Sequence, residues 1–433
     1  MLRQLVLVVA CVLCAAAASA EVPVPTVPAA AQAVPLDPAA ATRAWLDTLP
    51  AAQRARTDSY FEGGYWIALW SALGSVAAAG LLLATGVSAG LRDRAQRLTR
   101  RRPLQVALYA LGILTAFTLL ALPWSIYTDW WREHQYGLSN QSLGAWAGEA
   151  LIGFGLTLLF GTLTLMAIYA VIRCAPRTWW LWGAGVVLAL SAFGTLIYPP
   201  FIAPLFNDYQ PVSDARVRGA VLSLARANGV PADEVYEFNA SKQHKRISAN
   251  VAGLGGTMRI ALNDNLLQRA SLPEIRMVMA HEIGHYVLHH VLKSIVFNGL
   301  VIVAMFAFAR WAFAWAHGRW GARWGVRDAA DPAGLPVLVA AFTVFQLLAM
   351  PLTNTLTRVQ EIEADRFGLA ASREADGFAA AALKLGEYRK MEPSALEEAI
   401  FFTHPSGRAR IEMAMRWKAE AERAAGTAAA QTP

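Results

Sequence analysis

The chain has 433 residues, a formal net charge of +7, 56% hydrophobic and 16% charged residues, and 15 tryptophans. That balance excludes an ordinary soluble globular domain and describes a polytopic membrane protein. The positive charge lies in short loops between apolar runs, which reads as membrane topology; no nucleic-acid partner is expected.

The first twenty residues, MLRQLVLVVACVLCAAAASA, combine a basic start, a short apolar core and a small-residue ending. They predict a signal peptide over 1–20, cut before Glu21, in preference to a retained seventh span. Cys11 stands in a weak lipobox-like context whose apolar core is too short for a lipoprotein. Losing this segment leaves Cys174 as the only cysteine, so no internal disulfide can form. Residues 21–59 are rich in proline and alanine and read as a flexible segment.

Residues 60–198 carry four apolar runs of spanning length, Tyr65–Ala89, Leu104–Tyr127, Ala150–Ile172 and Trp179–Tyr198; residues 294–356 carry two more, Ile295–Ala316 and Leu335–Leu356. Trp130-Trp131 and Trp179-Trp180 read as interfacial anchors. Six arginines between Arg92 and Arg102, then Arg173 and Arg177, then Arg319, Arg323 and Arg327 mark three loops as cytoplasmic. On that count residues 199–293 and everything after Leu356 face outward, which is the periplasmic side of a bacterial inner membrane.

Residues 199–293 have mixed periodicity: a helix near Asp214–Asn228, strands near Val235–Phe238, Ser248–Val251 and Met258–Leu262, then another helix. A strand just ahead of that helix is either an edge able to pair with an extended peptide or an ordinary core strand. Ser271-Leu-Pro-Glu274 reads as a capping box opening a helix that runs to about Leu292. Within it, His281 and His285 stand four apart, so both imidazoles can reach one ion, and Glu282 lies where a carboxylate polarises water. This H-E-x-x-H pattern is the arrangement of zinc hydrolases. His289 lies about 12 Å further along the axis, too far to share the ion. His289 and His290 read as a wet or partly packed helix end without a metal role.

A third histidine delivered by a glycine break is absent, since Leu288 and Val291 occupy those positions. The third ligand is sought in LTRVQEIEADRFGLAA, where Glu361, Glu363 and Asp365 are candidates. Helical spacing puts Arg358, Glu361, Ile362 and Asp365 near one face with Glu363 turned away, which slightly favours Glu361 as ligand with Arg358 and Asp365 supporting it. Residues 357–418 would complete the soluble part, and 419–433 read as a flexible tail.

Together these pieces resemble the type I CAAX prenyl protease family of integral-membrane zinc metallopeptidases, which includes HtpX-like bacterial members. The resemblance rests on Pro200-Phe-Ile-Ala-Pro-Leu-Phe-Asn207, Ser248-Ala-Asn250, His281-Glu-Ile-Gly-His285, Arg358-Val-Gln-Glu361 with Ala364-Asp365, and His404-Pro405 with Arg410, and it covers Tyr60 to Trp417. It implies His281, His285 and Glu361 as ligands of one Zn2+ per chain, Glu282 as general base, and Arg358 and Asp365 behind the ligands. It further implies His404 and Arg410 lining the site to steady substrate or intermediate, and Asn250 as the substrate-strand asparagine. Ser406 departs from the family, which often has a second proline there.

The implied fold is mainly α: a helical membrane shell around a chamber, with a gluzincin-like zinc peptidase domain and a small β element. The implied activity is a metalloendopeptidase acting on membrane-associated or misfolded exported proteins, with membrane lipid around it. Three alternatives stand beside it. A membrane chaperone or scaffold with structural zinc lacks an evident fourth ligand; a site-2-type intramembrane protease would bury the motif in a span, whereas here it follows the polar SLPEIR; and C-terminal CAAX-type processing would be a narrower form of the same chemistry.

Overall fold

The computed structural model describes residues 36–253 and 258–430. The predicted signal peptide over 1–20 lies outside the described residues. Helix α1 spans Pro38–Asp47 and α2 spans Ala51–Ala84. Within the stretch predicted as flexible over 21–59, the described residues are therefore largely helical. Its proline begins a helix instead of breaking chain order: Pro38 occupies the first turn and the Asp37 side chain accepts from Ala39 N–H. Leu46 is fully buried beside Ile411 and Met415, and Arg54 bridges Glu392 at 3.0 Å.

The first span also ends earlier than Ala89, because Gly86 takes a left-handed φ of 72° and starts a separate helix, α3, at Val87–Leu98. Helices α4 (Arg102–Gln135), α5 (Leu143–Cys174) and α6 (Trp179–Leu205) complete the first membrane region. Leu119 and Leu159 point outward where lipid would cover them, while Tyr109, Tyr169 and Trp179 are buried between helices.

The soluble segment opens with β1 (Tyr209–Pro211), too short to be read from the sequence, and α7 (Ala215–Ala227). Strands β2 (Val235–Phe238), β3 (Ala249–Ala252) and β4 (Arg259–Asn263) join β1 in the order β1-β2-β4-β3. β2 pairs parallel with β4, and the other pairs are antiparallel. After the short α8 (Asp264–Arg269), α9 (Leu272–Val287) starts at the expected Ser271–Glu274 capping box. It does not run on to Leu292. His289 adopts a left-handed φ of 55°, and a new helix, α10 (His290–Trp324), departs from that break.

α10 and α11 (Leu335–Ser372) each exceed the ~20 residues a bilayer requires, so each carries chain beyond the membrane into the peptidase part. α12 (Ala375–Leu385), α13 (Ala395–Phe401) and α14 (Gly407–Ala430) follow. α14 runs through most of the predicted flexible tail, because its alanine-rich sequence is strongly helix-forming and Ala419 and Ala424 are buried.

At one end of the shell, Arg92 bonds Gly325 O at 2.8 Å and Asp331 at 2.5 Å, and Arg310 donates to Arg177 O at 2.8 Å. The three arginine-bearing loops thus gather at that end. At the other end, Asn140 N–H donates to Gln243 O at 2.9 Å, Lys245 N–H donates to Leu138 O at 3.0 Å, and Arg246 bridges Glu133 at 2.6 Å, tying the soluble segment to the α4–α5 connection. α9 packs against α11, and Gly368 allows it: a Cβ there would lie 3.1 Å from His281 N and 2.6 Å from Met277 Cε.

Candidate metal centre and cleft

His281 and His285 face the same way from α9, and α11 brings Glu361 to them. One ligand atom from each of the three lies within 4.8 Å of the others. The two Nε2 atoms are 3.1 Å apart; Glu361 Oε2 is 3.2 Å from His281 Nε2, and Oε1 is 3.6 Å from His285 Nε2. Donors around a tetrahedral zinc, at about 2.0–2.1 Å from the ion, stand roughly 3.3 Å from each other, so the spacing fits. Glu361 Oε2 is also buried without a hydrogen-bond donor in suitable geometry, which an ion would satisfy.

His281 Nδ1 lies 2.8 Å from Asp365 Oδ1, and Asp365 in turn accepts from Arg410 Nε at 2.9 Å. Burial opposes a charge on His281, yet Asp365 and Glu361 outweigh it and lift the imidazole to about 9. The pair of carboxylates makes this a site that attracts positive charge. Beside it, burial pushes the Glu282 carboxyl above its usual range, with His281 and His285 pulling the other way. His404 Nε2 lies 3.2 Å from Glu361 Oε2, and burial, reinforced by Arg389, holds its imidazole down at about 3, hence neutral.

The remaining expected residues fall into place unevenly. Arg358 does not support Glu361; it donates to the carbonyls of Glu398 at 2.7 Å and Phe402 at 2.6 Å, and so fixes the chain leading into His404. Asp365 supports His281 instead of Glu361. Asn250 sits on β3 opposite Ala261, while its neighbours Ser248 and Ala249 line the cleft.

Two residues were not foreseen. His290, expected as a wet or partly packed helix end without a metal role, is buried with Nδ1 2.9 Å from His285 Nδ1 and Nε2 3.0 Å from Glu363 Oε2. The left-handed turn at His289 is what folds it back, and helical spacing across an unbroken helix conceals that. Glu363 stands outside the His281, His285 and Glu361 cluster and bridges Lys293 at 2.5 Å. Arg389 lies in the cleft wall within an irregular segment that carries no motif.

A cleft of ≈ 210 Å³ is lined by Ser248, Ala249, His281, Glu282, Tyr388, Arg389 and His404. A larger cavity of ≈ 1100 Å³ lies between α2, α6, α10 and α11 and reaches His285, His290 and Glu361. His281 lines the cleft, while His285 and Glu361 line the apolar chamber, so the three residues lie between the two cavities.

Known sequences carry the same plan. A profile described as "Peptidase family M48" matches residues 211–418, and one described as "CAAX prenyl protease N-terminal, five membrane helices" matches residues 42–208. The chain is 30% identical over 338 residues to the "Uncharacterized metalloprotease YhfN" of Bacillus subtilis, covering 77% of this chain and 79% of that protein. It is 30% identical to CAAX prenyl protease 1 of Saccharomyces cerevisiae, but over 46% of this chain and 44% of that one; for the Taenia solium homolog the alignment spans 60% of the relative. The crystal structure of S. mikatae Ste24p superposes with a TM-score of 0.71 over 87% of this chain and 94% of that one, at 19% identity, which shows a shared fold.

Proposed function

Because the chain belongs to peptidase family M48 and is a multi-pass membrane metalloprotease, we propose that it binds one zinc ion through His281, His285 and Glu361 and hydrolyses peptide bonds with Glu282 as general base. The observation that carries this reading is the convergence of those three side chains next to a cleft lined by His281 and Glu282. Bound there, zinc would lower the pKa of a water molecule toward neutrality and polarise the scissile carbonyl. Glu282 takes the water's proton on its carboxylate and passes it to the leaving amine; its raised pKa suits both transfers. Neutral His404 offers a hydrogen bond to the substrate beside Glu361. Arg410 acts at one remove, by holding Asp365 against His281.

Among the described residues β3 pairs only with β4, so its outer edge can receive an extended peptide by main-chain hydrogen bonds, with Asn250 on the receiving strand. Membrane-associated or misfolded exported proteins are the proposed substrates. The names of the yeast and Taenia relatives favour a second reading, C-terminal CAAX-type processing; the partial overlap with those proteins keeps it second. The gathering of the arginine loops at one end, opposite the cleft, supports an outward, periplasmic active site.

Two experiments test this. Glu282→Gln should retain zinc and fold while peptide hydrolysis falls ~10²–10⁴-fold; undiminished hydrolysis by purified variant overturns the assignment. A reporter fused after Ala430 should be active as alkaline phosphatase and dark as green fluorescent protein in a Gram-negative host. The reverse pair of signals places the cleft in the cytoplasm.

A further inference from the structure

The cleft contains a cation with no partner among the described residues. Around it, Arg246 bridges Glu133, Lys384 bridges Glu274, Lys390 bridges Glu62 and Glu397, and Arg410 bridges Asp365. Arg389 has neither hydrogen bond nor ion pair among the described residues; its guanidinium carbon stands 5.8 Å from the Tyr388 ring centroid, a weak contact at best. Burial disfavours its charge, pulling it below the ordinary arginine value. An unmatched, partly desolvated cation is costly unless something supplies an anion.

Among the described residues, the charges around the cleft pair off without Arg389. Arg410 cancels Asp365. On the zinc reading, from which this inference proceeds, a divalent ion cancels Glu282 and Glu361. Arg389 is what remains, lining the same cleft as His404, Tyr388, Ser248 and Ala249. Its planar fork matches a carboxylate bidentately.

We propose that Arg389 receives a carboxylate of the bound peptide, so that the cleft selects substrates carrying an anionic group near the scissile bond. Two sources share that chemistry: a free C-terminal carboxylate, or the side chain of an aspartate or glutamate.

Peptide binding to full-length Glu282→Gln protein, zinc-loaded in detergent, separates them without depending on turnover. The probes are fluorescent peptides of one core sequence: the free acid, the C-terminal amide, and amides with glutamate or lysine placed at successive positions. At least one anionic peptide is expected to bind about tenfold more tightly than the neutral amide. Adding Arg389→Gln should bring that ratio close to one, and Arg389→Lys should keep part of it. A gain confined to the free acid identifies a terminal carboxylate; a gain at one glutamate position identifies a side chain. Absence of any anion preference, or a preference unchanged by Arg389→Gln, overturns the proposal. Cleavage of the neutral amide by the wild-type protein, with Glu282→Gln as control, is scored separately: its failure strikes the protease assignment and leaves the binding ratio standing.

Discussion

His281 and His285 sit one turn apart on the same helix, yet their outer nitrogens are secured by different means. His281 meets Asp365 directly, inside protein, with the buried Arg410 completing the pair. His285 meets another imidazole, His290, and only then a carboxylate, Glu363, with the half-exposed Lys293 beyond it. If His285 gives Nε2 to an ion, its Nδ1 carries the proton and His290 Nδ1 must accept it. His290 then carries its own proton on Nε2 and donates to Glu363, which can only accept. One arm is short, dry and continuous with the core; the other is long and ends in solvent at the α9–α10 break. The first should bear on stability and metal together, the second on metal chiefly.

Asp365→Ala should break the first arm most severely. It strands Arg410 without a partner, which typically costs about 3–5 kcal/mol, and frees His281 to rotate, at about 10–100-fold in metal affinity. Chemical unfolding in detergent and metal analysis should move together; normal stability in this variant would erase the distinction between the arms. His290→Ala should weaken metal binding by roughly tenfold with a smaller change in unfolding, and His290→Gln should recover part of the affinity, since its amide oxygen can still accept. Equal stability losses in His290→Ala and Asp365→Ala would show that both arms are simply core. Glu363→Ala should fall below His290→Ala in its effect and far below Glu361→Ala, which removes a ligand outright; competition with a metal-binding dye ranks the three. Lys293→Met should be nearly silent, under about 1 kcal/mol, because an exposed ion pair contributes little.

The sequence conveyed the parts of the molecule in which spacing alone determines geometry. Six apolar runs announce six helices of membrane-spanning length, and His281 and His285 at four residues announce two imidazoles that converge. It conveyed less where a turn intervenes. His290 cannot be assigned to His285 without knowing that His289 reverses the backbone, since on a straight helix five residues point elsewhere. Arg358 and Asp365 were correctly placed near the Glu361 face, but a face does not say which neighbour is met: α9 stands beside Asp365 and the chain into His404 stands beside Arg358. At the N-terminal side, composition misled because proline and alanine read equally as flexible chain and as a capped helix start; only the burial of Leu46 decides between them.

α11 serves as both membrane span and bearer of Glu361, and Pro351 lies inside it. From that proline to Glu361 is about ten residues, or roughly 15 Å of rigid rod at ~1.5 Å per residue. Proline weakens a helix at one point, so the rod has a natural fulcrum. A swing of about 5° there would carry the carboxylate about 1.3 Å, and a displacement near 1 Å is enough to cost about a hundredfold in rate. Helix tilt, in turn, follows the thickness of the bilayer. Pro351 is thus the point at which a change in the tilt of this span would become a displacement of Glu361 relative to His281 and His285.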